Sequence, residues 1–176
     1  MSLVLRHDPA KFGVTLDPAG WARVDDLLAA AARAGIPLDD ASLRRVVEES
    51  EKRRFALSDD GSMIRANQGH SVRVDLGLEP VEPPALLFHG TATRFLDAIR
   101  GAGLIPGSRQ HVHLSADRET ATAVGARHGR PVVLRVHAAR MHADGHRFLR
   151  SANGVWLADA VPADYLEFPE SGDAGR

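Results

Sequence analysis

Cysteine is absent from the 176 residues. That excludes a disulfide scaffold, a thiolate nucleophile and any metal site built on thiolates, and it fits the reducing cytoplasm, the expected compartment. No apolar run is long enough for a membrane span. Arg6, His7 and Asp8 interrupt the first apolar run at once, so neither a membrane segment nor a signal peptide is expected. The P-loop and GxGxxG signatures are missing, as is HExxH, and no nucleophile-elbow pattern surrounds a serine. Lysine is scarce: only Lys11 and Lys52 occur, so nearly all basic charge is arginine's. The 22 basic and 23 acidic residues nearly cancel, leaving a net charge of -1. A protein that coats long nucleic acid is far more basic, so any nucleic-acid contact here is confined to a local pocket.

What is present is enough apolar material, 44% of residues, for a real core in one large domain or two small ones. Residues 1–8 read as the tail of a helix stopped by Asp8-Pro9. Short extended pieces are expected at Thr15–Asp17 and Gly20–Ala22. A helix from Val24 to Arg33 follows, with Asp25 as its cap and Gly35 as its stop. The next helix begins near Pro37 and buries Leu43, Val46 and Val47. Phe55–Leu57, the turn Asp59-Asp60-Gly61 and Met63–Ala66 read as a hairpin, and Val72–Val74 as a further strand. Helices followed by a small hairpin predict a winged-helix-like unit. Pro80, Pro83 and Pro84 mark a linker, giving expected domains of 1–80 and 85–176. Beyond it, strands are expected at Leu86–Phe88, Val112–Leu114 and Pro131–Val136, with helices at Thr93–Arg100 and Arg118–Arg127. Phe148–Arg150 and Val155–Leu157 flank Asn153-Gly154, the strongest hairpin signal of the chain. The fold class expected is α+β, and the tail from Ser171 is expected to fray.

Two polar clusters stand out. Ile64–Val72, IRANQGHSV, sets Arg65, Asn67, Gln68, His70 and Ser71 around Gly69. It reads as a polar turn bonded to its own backbone, or as an anion site. In the second reading arginine supplies a rigid fork of donors, the amides add neutral ones, and glycine admits close approach. Ser108–Ser115, SRQHVHLS, alternates so that Arg109, His111 and His113 share one strand face. Such a row is a solvated sheet face, or it is buried against an anionic partner. Arg6-His7 reads as an exposed pair at a helix end or as part of the same chemistry. His89-Gly90-Thr91 is expected just beyond an apolar strand. Seven of the nine histidines lie beyond Pro80. His111 and His113 project together, but the nearest carboxylate, Asp117, sits on the following turn, so no metal is expected. Arginines beside amides and histidines in both halves point to a cleft for a phosphate-rich ligand, with chemistry resting on charge stabilisation.

Taken in order, LRHDP (5–9), GW (20–21), VDDLL (24–28), IRANQGHSV (64–72), LFHGT (87–91), SRQHVHLS (108–115), VGARHG (124–129) and NGVWL (153–157) with VP (161–162) resemble the KptA/Tpt1 family of RNA 2'-phosphotransferases. The resemblance covers nearly the whole chain. It implies an N-terminal winged-helix-like lobe that binds the RNA 2'-phosphate and a C-terminal lobe of the ADP-ribosyltransferase fold that binds NAD. The implied activity removes an internal RNA 2'-phosphate with consumption of NAD. The phosphate attacks the nicotinamide-bearing ribose, nicotinamide leaves, and the ribose hydroxyl then attacks the phosphodiester. The products are 2'-hydroxyl RNA and ADP-ribose cyclic phosphate.

The family's essential set falls on Arg6, His7, Arg65 and Arg109. By resemblance His89, Gly90, Thr91, His113, Ser115 and Arg127 line the NAD site, and Asn67, Gln68 and His70 shape the substrate pocket. His7 is the implied proton-handling group. Many ADP-ribosyltransferases carry a glutamate near the region of Asn153-Gly154-Val155. None stands there, which suits an acceptor that is already charged. Family members usually have a stretch before the LRH motif, whereas four residues precede Leu5 here, so an initial turn of the first helix is expected to be missing. The partner implied is RNA with an internal 2'-phosphate. No membrane and no obligate protein partner are expected, and a monomer is the default. Two other readings stay open: an ADP-ribosyltransferase that caps 5'-phosphorylated nucleic-acid ends, and a catalytically silent RNA- or nucleotide-binding module.

Overall fold

Helix α1 (Ser2–Arg6) stops where Asp8-Pro9 ends the helical run, and its buried face is Val4 and Leu5. The computed structural model describes residues 1–169, so the expected fraying from Ser171 lies outside the described residues. The chain divides into two units, one of Met1–Leu78 and one beginning at Glu79.

In the first unit α1 is followed by β1 (Trp21–Arg23), α2 (Val24–Arg33), α3 (Asp40–Glu48), β2 (Phe55–Leu57) and β3 (Met63–Ala66). The strands form one antiparallel sheet in the order β1-β3-β2. Its central strand sets Arg65 opposite Trp21 on one side and Ala56 on the other. Leu5, Ala22, Leu27, Leu43 and Ile64 form the core. Three expectations are corrected. The cap of α2 is Arg23 without a side-chain bond, and Asp25 lies inside the first turn, where its charge still suits the helix N-terminus. Val46 is exposed, because Leu43 and Val47, four residues apart, take the core-facing stripe. Val72–Val74 is not a strand. The Ser71 and Val72 amides donate instead to the Arg6 carbonyl at 2.9 and 3.3 Å, so they are spent on the end of α1.

The second unit contains β4 (Leu87–Ala92), α4 (Leu96–Ala102), β5 (Val112–Leu114), α5 (Arg118–Gly125), β6 (Pro131–Val136), α6 (Ala138–Ala143), β7 (Phe148–Arg150), β8 (Trp156–Ala158) and β9 (Leu166–Glu167). Two further antiparallel sheets result, β4-β6-β9 and β5-β8-β7. Leu87, Leu134, Val136, Met141, Phe148 and Trp156 belong to its core. The β7–β8 hairpin turns through Gly154 at φ 83°, a conformation that favours glycine. His89-Gly90-Thr91 lies inside β4 and not beyond it, because β4 pairs with β6 through all six residues. The mixture of helices and small antiparallel sheets is compatible with the α+β class. Among the described residues no helix is long and apolar enough to cross a membrane.

Candidate active site

In the first unit the segment after β3 is stitched to the last turn of α1. The Arg6 carbonyl accepts from the Ser71 amide, and His7 Nδ1 lies 3.0 Å from the Ser71 hydroxyl, 64 residues along the chain. Gly69 at φ 85° makes the bend that returns the chain. Arg6, His7, Arg65 and His70 are thereby brought together. The polar turn suggested by Ile64–Val72 bonds mostly to other parts of the unit.

Aromatic rings support both arginines. The Arg65 guanidinium stacks 4.6 Å above the Trp21 ring, and Arg6 lies 5.6 Å from the Phe55 ring centroid. Sequence reasoning assigned neither aromatic a role. The pairing of β1 with β3 sets Trp21 directly across from Arg65, a tertiary contact that the sequence does not display. Arg65 makes no ion pair among the described residues, and its buried Nε has no hydrogen-bond partner there.

His70 is 2% exposed, and neither ring nitrogen has a hydrogen-bond partner among the described residues. Burial, then the charges of Arg6, His7 and Arg65, lower its pKa to about 4. It is neutral at pH 7, so the cluster avoids one more positive charge. Because the folded value lies below the ordinary 6.5, the unfolded chain binds the extra proton between the two. Stability from this group is complete above pH 6.5 and declines as pH falls toward 4. We expect urea unfolding at pH 5 to reveal a loss on the order of 2 kcal/mol relative to pH 7.5. A His70→Asn variant should show a markedly smaller pH dependence; an equal one would remove His70 as the cause.

Asn67 is buried, and its Nδ2 donates to the Arg53 carbonyl at 2.6 Å, while its amide donates to the Arg54 carbonyl. Its donor is thus committed to the loop before β2. The half-buried Gln68 side chain makes no hydrogen bond among the described residues.

In the second unit a two-residue bridge joins the sheets. Phe88 and Ser115 exchange backbone bonds of 2.9 and 2.7 Å. The bridge sets His89 Nδ1 3.0 Å from the His113 carbonyl. A carbonyl only accepts, so Nδ1 carries the proton and Nε2 keeps a lone pair. Burial lowers the His89 pKa, opposed by this bond and assisted by His128, so the ring is neutral. Arg109 Nη1 lies 2.9 Å from His113 Nδ1. A guanidinium only donates, so Nδ1 accepts and His113 presents N–H at Nε2. The strand carrying this group is only Val112–Leu114, so Arg109 reaches His113 from the preceding turn. His111 instead faces Asp159 at 3.9 Å.

Gly90 and Thr91 are buried under α5. A Cβ on Gly90 would overlap the Ala121 carbonyl, and one on Gly125 would stand 2.6 Å from the Thr91 carbonyl. These glycines let a helix lie backbone to backbone on β4, which supports His89. Arg127 is exposed on the turn Ala126–His128 that follows α5. Among the described residues no group of three His, Cys, Asp or Glu side chains could hold a metal ion.

The unit around Arg65 therefore gathers cations about a neutral histidine, an arrangement that suits a phosphate. The other presents oriented histidines of fixed tautomer beside an arginine. Residues 1–160 match the family described as "RNA 2'-phosphotransferase, Tpt1 / KptA family". A "Probable RNA 2'-phosphotransferase" of Agrobacterium fabrum is 65% identical over 166 residues, 94% of this chain and 89% of that protein. Proteins of the same description from Streptomyces coelicolor and Pseudomonas aeruginosa are 56% and 55% identical, each over 92% of its own length and over 96% and 94% of this chain. With this likeness along almost its full length, the chain belongs to the Tpt1/KptA family of RNA 2'-phosphotransferases.

Proposed function

We propose that the protein removes an internal 2'-phosphate from RNA with NAD as co-substrate, through an ADP-ribosylated RNA intermediate. The observation that carries this reading is the cluster of Arg6, His7 and Arg65 around neutral His70. Arg65 meets no carboxylate among the described residues, so its fork is available to an anion. In this reading Met1–Leu78 is the winged-helix-like lobe that takes the 2'-phosphate, and the unit from Glu79 is an ADP-ribosyltransferase-like lobe that takes NAD.

Arg6, His7 and Arg65 hold the phosphate and stabilise charge on its oxygens during transfer, and Arg109 serves the chemistry of the second unit beside His113. His7, held at Nδ1 by Ser71, handles the proton as the RNA 2'-hydroxyl is restored. Gln68 and His70 shape the pocket, and Asn67 fixes its wall. His89 Nε2 accepts from a ribose hydroxyl of NAD, His113 Nε2 donates near the nicotinamide ribose, and Ser115 and Arg127 complete the site. Gly90 and Thr91 contribute by seating α5 so that His89 keeps its place. The phosphate arrives already ionised, so the first step needs no base; orientation of two anions is the main task.

Nicotinamide release tests this directly. We expect it when NAD is mixed with RNA carrying a 2'-phosphate, and not with the same RNA lacking that group. Release driven equally by 5'-phosphorylated ends would favour the capping reading, and no release with any RNA would favour a binding module.

A further inference from the structure

Arg53 is the one non-glycine residue with positive φ among the described residues, at 40°. A left-handed arginine is uncommon and costs local strain, so the surroundings must hold it. They do so from both sides. Its amide donates to the Ser50 carbonyl at 2.8 Å, and its carbonyl accepts from Asn67 Nδ2 at 2.6 Å. The next carbonyl, of Arg54, accepts the Asn67 amide at 2.9 Å and faces Arg6 Nη2 at 3.4 Å. The loop before β2 is thus bonded through its backbone to Asn67 and to Arg6 of the phosphate cluster. The Arg53 and Arg54 side chains take no part in that bonding. Arg53 is exposed, Arg54 is half-buried, and neither forms an ion pair among the described residues. Lys52 precedes them, so one of the chain's two lysines stands in a run of three basic residues.

A run of basic side chains is ordinarily a solvated face. Here strain and a buried amide fix the run beside an anion site, and a solvated face requires neither. We propose that the Lys52–Arg54 loop is a backbone rail: Arg53 and Arg54 bind phosphodiester groups of the RNA strand flanking the nucleotide whose 2'-phosphate enters the Arg6–Arg65 cluster. The inference rests on the proposed function. It assigns the loop a partner, single-stranded RNA, and a task, positioning without base readout, because arginine on phosphate carries no sequence information. Asn67 is a positioning residue in this scheme.

Arg53→Gly tests the rail without confusion from misfolding, since glycine adopts φ 40° freely and removes only the side chain. Turnover is measured on a ten-nucleotide RNA with one internal 2'-phosphate and on a dinucleotide with the same group but a single backbone phosphate. We expect KM for the longer RNA to rise roughly fivefold at fixed kcat, and the dinucleotide to change less than about twofold. The slope of log(kcat/KM) against log salt on the longer RNA should fall by about 0.7, the value for one lost phosphate contact on a single strand. An active parent whose R53G variant keeps both KM and slope would overturn the rail alone, as would equal losses on both RNAs. A parent inactive on both RNAs would overturn the functional reading and the rail with it.

Discussion

We expect Arg65→Ala to lower kcat/KM for 2'-phosphorylated RNA by about a thousandfold, the scale of losing a preorganised charged donor at a transferring phosphate. Arg65 stands at the centre of the three-stranded sheet, between Ala56 and Trp21, so its backbone position is fixed on both sides. Its guanidinium is steered by the Trp21 ring beneath it and meets no carboxylate among the described residues. The stack orients the fork before any ligand arrives, so little ordering entropy remains to be lost on binding. Arg65→Lys keeps the charge but loses both the fork and the flat stacking face. It should therefore recover no more than about tenfold of the loss. Steady-state kinetics on the two variants check this, with circular dichroism to confirm that each is folded. A kcat/KM for Arg65→Ala within about threefold of the parent would remove Arg65 from the phosphate site.

We expect Gly90→Ala to destabilise the second unit by about 3 kcal/mol, with a fall in melting temperature of roughly 12 °C or more. The reason lies in the backbone. The added methyl would overlap the Ala121 carbonyl and stand 2.9 Å from the Gly125 amide. Neither obstacle is the end of a flexible side chain, so α5 itself must move away from β4. His89 then loses its setting beside the His113 carbonyl. Gly77→Ala is the control: that glycine has positive φ but open space around it, so strain alone acts there. Thermal melts of the two variants separate overlap from backbone strain. Equal small losses would mean that α5 adjusts without cost.

These cases show what the chain discloses before folding. The hairpins were legible because their turns carry their own chemistry: Asp60-Gly61 and Asn153-Gly154 each place a glycine at positive φ. Helix α6 was not, since its cap residue His137 makes no side-chain capping bond and only Ala138 and Met141 are buried. Strand β9 has two residues, too few to show alternation. Val72–Val74 alternates as a strand should, yet its leading amide is claimed by Arg6, a long-range choice that periodicity cannot reveal. The site divides the same way. Resemblance named Arg6, His7 and Arg65, and their convergence on His70 follows from α1 packing beside β3. The stacking partners Trp21 and Phe55 and the constrained Arg53 depend on tertiary contacts.

The most direct test is the mass of the RNA product. A short RNA with one internal 2'-phosphate is incubated with the protein, with and without NAD. We expect loss of the phosphate only with NAD, with ADP-ribose cyclic phosphate formed in equal amount. Phosphate loss of the same extent without NAD, or an unchanged RNA in its presence, would contradict it.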